Sequence, residues 1–321
     1  MNIEKKIKAF SKLGNYLQNA TNSGLNKLIK EEHYYNPWFT EKNVKNSLSA
    51  ISVLLEENNL RAWLEKYNLI NENKSQKIIG LVLAGNIPLV GFSDFLSVLI
   101  SGNKLLCKLS SDDKRLLPAL ANILIQIEPG FKDLIVFTEG LLKGFDAVIA
   151  TGSNNTARYF EYYFGKYPHI IRKNRNAVAV LTAKENNLEL KALADDIFMY
   201  FGLGCRNVSK IYVPLNYNFD DFINSIEDYR PLINHNKYCN NYEYNKAIFL
   251  INNEPYLDNG FLLIKENVVI SSPVAVLNYE YYTSQEEIKK KLDILKDKIQ
   301  CIVGVAKEYI PFGKAQFPQL W

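Results

Sequence analysis

The stretch Lys77-Ile78-Ile79-Gly80-Leu81-Val82-Leu83-Ala84-Gly85-Asn86-Ile87-Pro88-Leu89 decides the fold. Its first seven residues form a continuous apolar run, as in a strand buried on both faces. The glycine, asparagine and proline that follow make a turn. A helical pattern over 90–101 comes next, then a second strand at Lys104-Leu105-Leu106-Cys107-Lys108-Leu109. A helix over 116–127 and strands over 134–137 and 147–150 continue the cycle. Buried strands alternating with helices predict a doubly wound α/β sheet, a fold that binds ligands at the C-terminal ends of its strands.

Upstream, Ile3, Ile7, Phe10, Leu13 and Leu17 recur at three- and four-residue intervals, a one-sided stripe expected to pack against the body rather than on a membrane. A second helical pattern spans 46–69, with Leu55, Leu60, Trp63 and Leu64 on its apolar side, and 71–75 is a polar break. Downstream, a second α/β unit begins at Ala177-Val178-Ala179-Val180-Leu181. It includes the strand Lys210-Ile211-Tyr212-Val213-Pro214 and a polar, tyrosine- and asparagine-rich middle over 216–244. Strands near 247–251, 268–271 and 274–277, a helix over 284–298 and a strand over 301–305 are expected after it. Turn residues over 311–318 suit a short crossing segment. The expected division is a first domain over 1–176, with 311–321 returning to it, and a second over 177–310.

The chain has 321 residues, 47% hydrophobic and 22% charged, enough for a large core in two domains. A net charge of +4, spread along the chain, argues against a nucleic-acid partner. The four cysteines, Cys107, Cys205, Cys239 and Cys301, have no metal-like spacing, and no metal site is expected. The charged N-terminus has no signal-like apolar core, and every apolar stretch is broken well short of a membrane span. A soluble cytoplasmic protein is expected. Trp38, Trp63 and Trp321 read as packing residues.

The densest chemical signal is Phe201-Gly202-Leu203-Gly204-Cys205-Arg206-Asn207, between a helix-like run over 188–200 and the strand at 210–214. Two glycines allow a sharp turn and close approach to a ligand. A cation directly after the sulfur favours the thiolate, the form that attacks carbonyl carbon. The alternative is a small core cysteine.

Four motifs in order resemble the aldehyde dehydrogenase superfamily. They are Ala84-Gly85-Asn86-Ile87-Pro88-Leu89 with Ser101-Gly102-Asn103 and Lys108-Leu109-Ser110-Ser111, then Ala150-Thr151-Gly152-Ser153, the cysteine loop, and Pro311-Phe312-Gly313. Gly85-Asn86-Ile87-Pro88 and the run from Lys108 to Asp112 look like one branch of it, the fatty acyl-CoA reductases of bacterial luminescence systems and their relatives. The resemblance implies an aldehyde dehydrogenase-like α/β fold: a doubly wound dinucleotide-binding domain and a second α/β catalytic domain bearing Cys205. It implies reduction of an acyl-CoA or acyl-protein thioester to aldehyde through a covalent acyl-cysteine. The implied cofactor is NADPH, with NADH as the alternative. An acyl-supplying synthetase partner and a homo-oligomer are left open.

By the same resemblance, Asn86 donates to the oxyanion, or else makes an Asx-turn before Pro88. Lys108 and Ser110 hold the adenosine ribose or its phosphate, or else end a solvated strand. Gly152 and Ser153 place a helix N-terminus against the cofactor, or Ser153 is a plain N-cap. Where the family has a glutamate base, alignment back from Lys173-Asn174-Arg175-Asn176 puts His169. That suits an enzyme whose thioester passes to or from a thiol rather than water, with His169 as proton donor, as a gate for coenzyme A or as a structural residue. The family's cofactor-ribose glutamate is missing as well: Ile270-Ser271-Ser272-Pro273-Val274 stands in its place. A cysteine acyltransferase or thioesterase without redox chemistry, and a non-catalytic subunit that keeps the fold, are the competing readings.

Overall fold

The computed structural model describes residues 1–18, 24–67 and 75–320. The expected polar break over 71–75, all but its last residue, and Trp321 lie outside them. The chain forms two compact units, Met1–Asn174 with the residues from Gln319 on, and Arg175–Pro318.

The first unit opens with helices α1 (Ile3–Gln18), α2 (Leu25–Tyr35), α3 (Glu41–Leu54) and α4 (Glu57–Leu64). The strand-helix alternation follows: β1 (Ile78–Val82), α5 (Phe92–Ile100), β2 (Lys104–Lys108), α6 (Leu116–Ile127), β3 (Ile135–Thr138), β4 (Ala147–Thr151), α7 (Asn154–Phe164) and β5 (His169–Arg172). All five strands are parallel, in the order β3-β2-β1-β4-β5. Strand order reverses between β1 and β4, which places the crevice of a doubly wound sheet outside their C-terminal ends. The stripe of α1 is buried as expected: Ile7, Phe10, Leu13 and Leu17 enter the core, and Phe10 meets Phe131 edge-on at 5.5 Å. Trp38 and Trp63 pack on the same core. The pattern over 46–69 resolves into α3 and α4, two helices rather than one.

The second unit runs β6 (Asn176–Val180), α8 (Asn187–Phe198), β7 (Val208–Pro214), α9 (Asp220–Ser225), α10 (Asn236–Ile251), β8 (Leu257–Asp258), β9 (Leu263–Glu266), β10 (Val276–Tyr282), α11 (Gln285–Leu295) and β11 (Ile299–Gly304). Its sheet has the order β11-β6-β7-β10-β9-β8, parallel except for the β8–β9 pair. Central β7 is buried along its length and carries two polar residues, Ser209, whose hydroxyl donates to the Ile270 carbonyl, and Lys210, fully buried and ion-paired with Glu280 of β10, which also binds Lys291 of α11. An unpaired charge there would be far costlier.

Three expectations are corrected. Residues 247–251 are the last turns of α10, not a strand. Tyr238, Tyr242, Asn245 and Phe249 are buried at three- and four-residue spacing, and that face decides the helix. The strand expected at 268–271 lies at 263–266, because β9 aligns Leu263 and Ile264 with Val276 and Leu277. Residues 311–318 belong to the second unit rather than returning to the first. Among the described residues, no helix is long and apolar enough to cross a membrane.

If α1 is part of the first core, Phe10→Ala lowers stability by about 3–5 kcal/mol, read from chemical denaturation. A loss below about 1 kcal/mol would mean that α1 is peripheral.

Candidate active site

In the first unit, the residues singled out gather at the C-terminal edge of the sheet. Asn86 is exposed on the turn after β1, and that turn is built by its neighbours. Gly85 has no room for a side chain: a Cβ there would stand 2.4 Å from the Ser110 Oγ. Leu89 has a left-handed backbone, φ 57°, and its N–H donates to the Asp113 carboxylate at 2.8 Å. The Ser47 hydroxyl donates to the Pro88 carbonyl at 2.7 Å. Strain at Leu89 persists because these two bonds over-determine the turn.

Lys108 ends β2 beside Val82 of β1, and its carbonyl accepts the Leu83 N–H at 3.2 Å. The Ser110 hydroxyl accepts the Asp112 N–H at 3.2 Å. After β4, the Gly152 N–H donates to the Arg172 carbonyl at 3.3 Å, and a Cβ on Gly152 would stand 3.0 Å from Thr156 and Phe160. Ser153 caps α7, its Oγ accepting the Thr156 N–H at 3.2 Å. Asn86, Lys108, Ser110, Gly152 and Ser153 therefore share one edge.

His169 does not share it. It begins β5, paired with Val148, with Nδ1 2.8 Å from the Tyr167 carbonyl oxygen. It lines an open cavity of about 390 Å³ with Ile79, Ser97 and Val148, at the N-terminal side of the sheet. Three residues of strand, about 10 Å at 3.3 Å per residue, separate it from the edge that carries Gly152. The residue of β5 at that edge is Arg172, whose Nη1 grips the buried Asp94 carboxylate of α5. Counting back from the lysine put His169 at the catalytic position; the strand register puts Arg172 at the sheet edge instead.

In the second unit, α8 ends at Phe198 and the chain turns through three consecutive left-handed residues, Tyr200 (φ 53°), Phe201 (φ 59°) and Gly202 (φ 77°). Such backbone costs on the order of 1–3 kcal/mol per non-glycine residue and concentrates at functional sites. Packing holds it: Tyr200 and Phe201 are buried, and the Phe201 ring lies 4.4 Å from that of His235. Asn207 then staples the loop to the helix end. Its amide donates to the carbonyls of Asp196, Ile197 and Met199 at 3.1, 3.2 and 2.7 Å, and its oxygen accepts the Gly204 N–H at 2.8 Å. Half-buried Cys205 sits inside this closed loop. Arg206 donates to the Ala315 carbonyl at 3.2 Å and to the Cys301 thiol on β11.

Burial pushes the Cys205 thiol above the ordinary cysteine range, while Arg206 and, less strongly, Arg175 pull it down. Burial wins. The loop therefore works against the thiolate rather than for it, and the Cys205 proton must leave for the sulfur to attack.

Reading the sequence missed Asp113, Arg172, Asn207 and Asp196, the residues that shape these loops. Asp196 left one signal, a carboxylate inside the apolar spacing Leu190, Leu193, Ala194 and Ile197 of α8.

A family model described as acyl-CoA reductase (LuxC) matches residues 3–223, which include the cysteine loop. No curated protein gives a significant match. Among solved structures, the indole-3-acetaldehyde dehydrogenase AldA of P. syringae, in complex with NAD+ and IAA, is similar at 13% identity and TM-score 0.68, over 96% of this chain and 72% of that one. An indole-3-acetaldehyde dehydrogenase complexed with NAD+ is 14% identical over 98% of this chain and 74% of its own, TM-score 0.67. An aldehyde dehydrogenase from Bacillus cereus, also an NAD+ complex, is 12% identical over 96% and 72%, TM-score 0.66. At these identities the likeness is one of fold.

Helix α2 braces the Lys108–Asp113 segment through acids that burial has altered. Asn36 donates to the Asp112 carbonyl at 3.3 Å, and Arg115 lies 3.3 Å from buried Glu32. Burial pushes Glu32 up to about 7, against the pull of Arg115, and Asp113 up to about 6. Both hold protons more tightly folded than unfolded, so their stabilisation is complete below the unfolded values, 4.5 and 3.8, and is lost as pH rises through about 6 and 7. Glu32→Gln should match the wild-type thermal midpoint near pH 4 and exceed it near pH 8. An unchanged pH dependence in the variant would remove Glu32 from this account.

Proposed function

The chain belongs to the LuxC acyl-CoA reductase family, and on that premise we propose that Cys205 is the nucleophile that carries the acyl group during reduction of the thioester to aldehyde. One observation carries the assignment: the family match spans a cysteine enclosed by strained left-handed backbone and by the four hydrogen bonds of Asn207. Structure of that cost is kept where a reactive group must be held in place.

In the proposed sequence, the Cys205 sulfur loses its proton and attacks the acyl carbon of an acyl-CoA or acyl-protein thioester. The carrier's thiolate leaves and takes up a proton. A reduced nicotinamide, when bound, supplies the hydride to the acyl carbon. Hydride arrival converts the acyl-Cys205 thioester into an oxyanion, which the Asn86 amide stabilises. Collapse of that oxyanion breaks the C–S bond, releases aldehyde and returns Cys205.

Support for the cofactor role of the first unit comes from its β1/β4 edge. Gly152 brings the backbone close at the N-terminus of α7, and Lys108 stands at the neighbouring strand end. The similar indole-3-acetaldehyde dehydrogenase and Bacillus cereus aldehyde dehydrogenase are NAD+ complexes; Lys108 and Ser110, able to hold a 2′-phosphate, favour NADPH for this chain. His169 has no part in the proposed step. An acyl-supplying synthetase and a homo-oligomer remain compatible with this function.

Cys205→Ala should abolish covalent acyl-enzyme, followed with radiolabelled acyl-CoA, and leave NADPH affinity nearly unchanged. Residual reductase activity within tenfold of wild type, roughly 1.4 kcal/mol of barrier, would overturn the nucleophile. Acyl-enzyme formed by a wild-type chain that binds no nicotinamide would favour the acyltransferase reading.

Asn86→Ala should slow the reduction step about a hundredfold in single-turnover experiments, with cofactor binding preserved. Normal turnover with a lower melting temperature would make Asn86 a turn residue only.

A further inference from the structure

Asp196 lies on the buried face of α8, 1% exposed, and its carboxylate reaches across to the chain that follows β11. One oxygen accepts the Gly313 N–H at 2.6 Å and the other the Ala315 N–H at 2.9 Å. The Ala315 carbonyl, in the same held segment, accepts from Arg206, the residue next to Cys205. The Asp196 carbonyl accepts from Asn207, so residues on both sides of the Arg206 side chain trace back to one position of α8. Gly313 is left-handed at φ 78°, and a Cβ there would stand 3.1 Å from Ala192. The segment can approach α8 this closely only through a glycine.

We propose that Asp196 is a positioning residue for Cys205: its carboxylate fixes the Gly313–Ala315 segment, whose carbonyl holds the Arg206 guanidinium beside the reactive thiol. This rests on Cys205 as the nucleophile but concerns the local setting of its sulfur. The groups facing Asp196 are Lys314 on the held segment, Asp195 on its own helix, Tyr229 on the turn after α9, and Cys301 on β11 with Arg206 beside it. Burial pushes Asp196 up to about 7, with Asp195 adding to the rise and the two N–H bonds and Lys314 opposing it. Ionisation strengthens both N–H bonds, so the hold tightens as pH rises through about 7. Because the folded value is raised, the same ionisation lowers global stability. Tighter positioning and greater overall stability therefore move in opposite directions with pH.

The test is the rate of Cys205 alkylation by iodoacetamide, resolved from the other cysteines by peptide mass spectrometry. Between about pH 5 and pH 8, thiol ionisation alone raises that rate about tenfold per unit. Wild type should exceed this rise by about a further tenfold, and Asp196→Asn should not. Arg206→Gln should also lose the excess, and the double variant should lose no more than either single one. Equal profiles for wild type and Asp196→Asn would overturn the proposal. If Asp196→Asn does not fold, an excess retained by Arg206→Gln overturns it equally. Alkylation reads the hold on the thiol whatever Cys205 does in turnover, while acyl labelling of Cys205→Ala reads the nucleophile, so the two ideas fail separately.

Discussion

The end of a helix buried in the core leaves carbonyl oxygens that need donors, and α8 meets that need with a single side chain. Most of its last turn is buried, and the left-handed residues that follow carry no ladder of their own. Asn207 supplies three donations from one amide and takes one in return. To do so it must fold back onto the helix it has just left. The chain between, from Met199 to Arg206, is thereby forced into a tight closed loop, and Cys205 is where it is because of that closure. Replacing Asn207 would both strand several buried carbonyls and release the loop, so its role cannot be divided into stability and function.

The first unit solves a parallel problem with a carboxylate. Asp113 takes the N–H of left-handed Leu89 as Asn207 takes that of Gly204, and in each case the anchored residue lies within a few positions of the group assigned to chemistry. In both loops a buried polar side chain sets a main-chain turn, Asp113 from 24 residues downstream and Asn207 from within the loop itself, and a glycine lets the turn approach its neighbour. Rigid elements thus carry loops whose shape is enforced by hydrogen bonds rather than by the loop's own propensities.

Much of this was legible in the residues. Parallel strands buried on both faces announce themselves as unbroken apolar runs, which is why β1, β2, β6 and β7 were found near their true positions. The same rule failed at 247–251, where an apolar run ends a helix: Tyr238 and Tyr242, which reveal the helical spacing, are aromatic residues that look at home in a polar loop. His169 and Arg172 were separated only by strand register, which depends on pairing with Val148 and Thr151 and leaves no local mark. The Cys205 thiol was misjudged for a similar reason. Arg206 is visible as its neighbour in sequence, but the burial that outweighs it comes from residues distant along the chain.

Pairing of β11 with β6 has a consequence for how the protein is made. The second sheet needs a strand synthesised long after its partner, and the loop around Cys205 needs the still later residues Gly313 and Ala315. A ribosome-bound chain can complete the first sheet while the second has only part of its strands. During that interval Cys205 and Asn207 are already outside the ribosomal tunnel, but the Ala315 carbonyl that holds Arg206 has not been translated. The thiol is then most open to oxidants and to mispairing, and chaperone cover at that stage would protect it before the enzyme itself can.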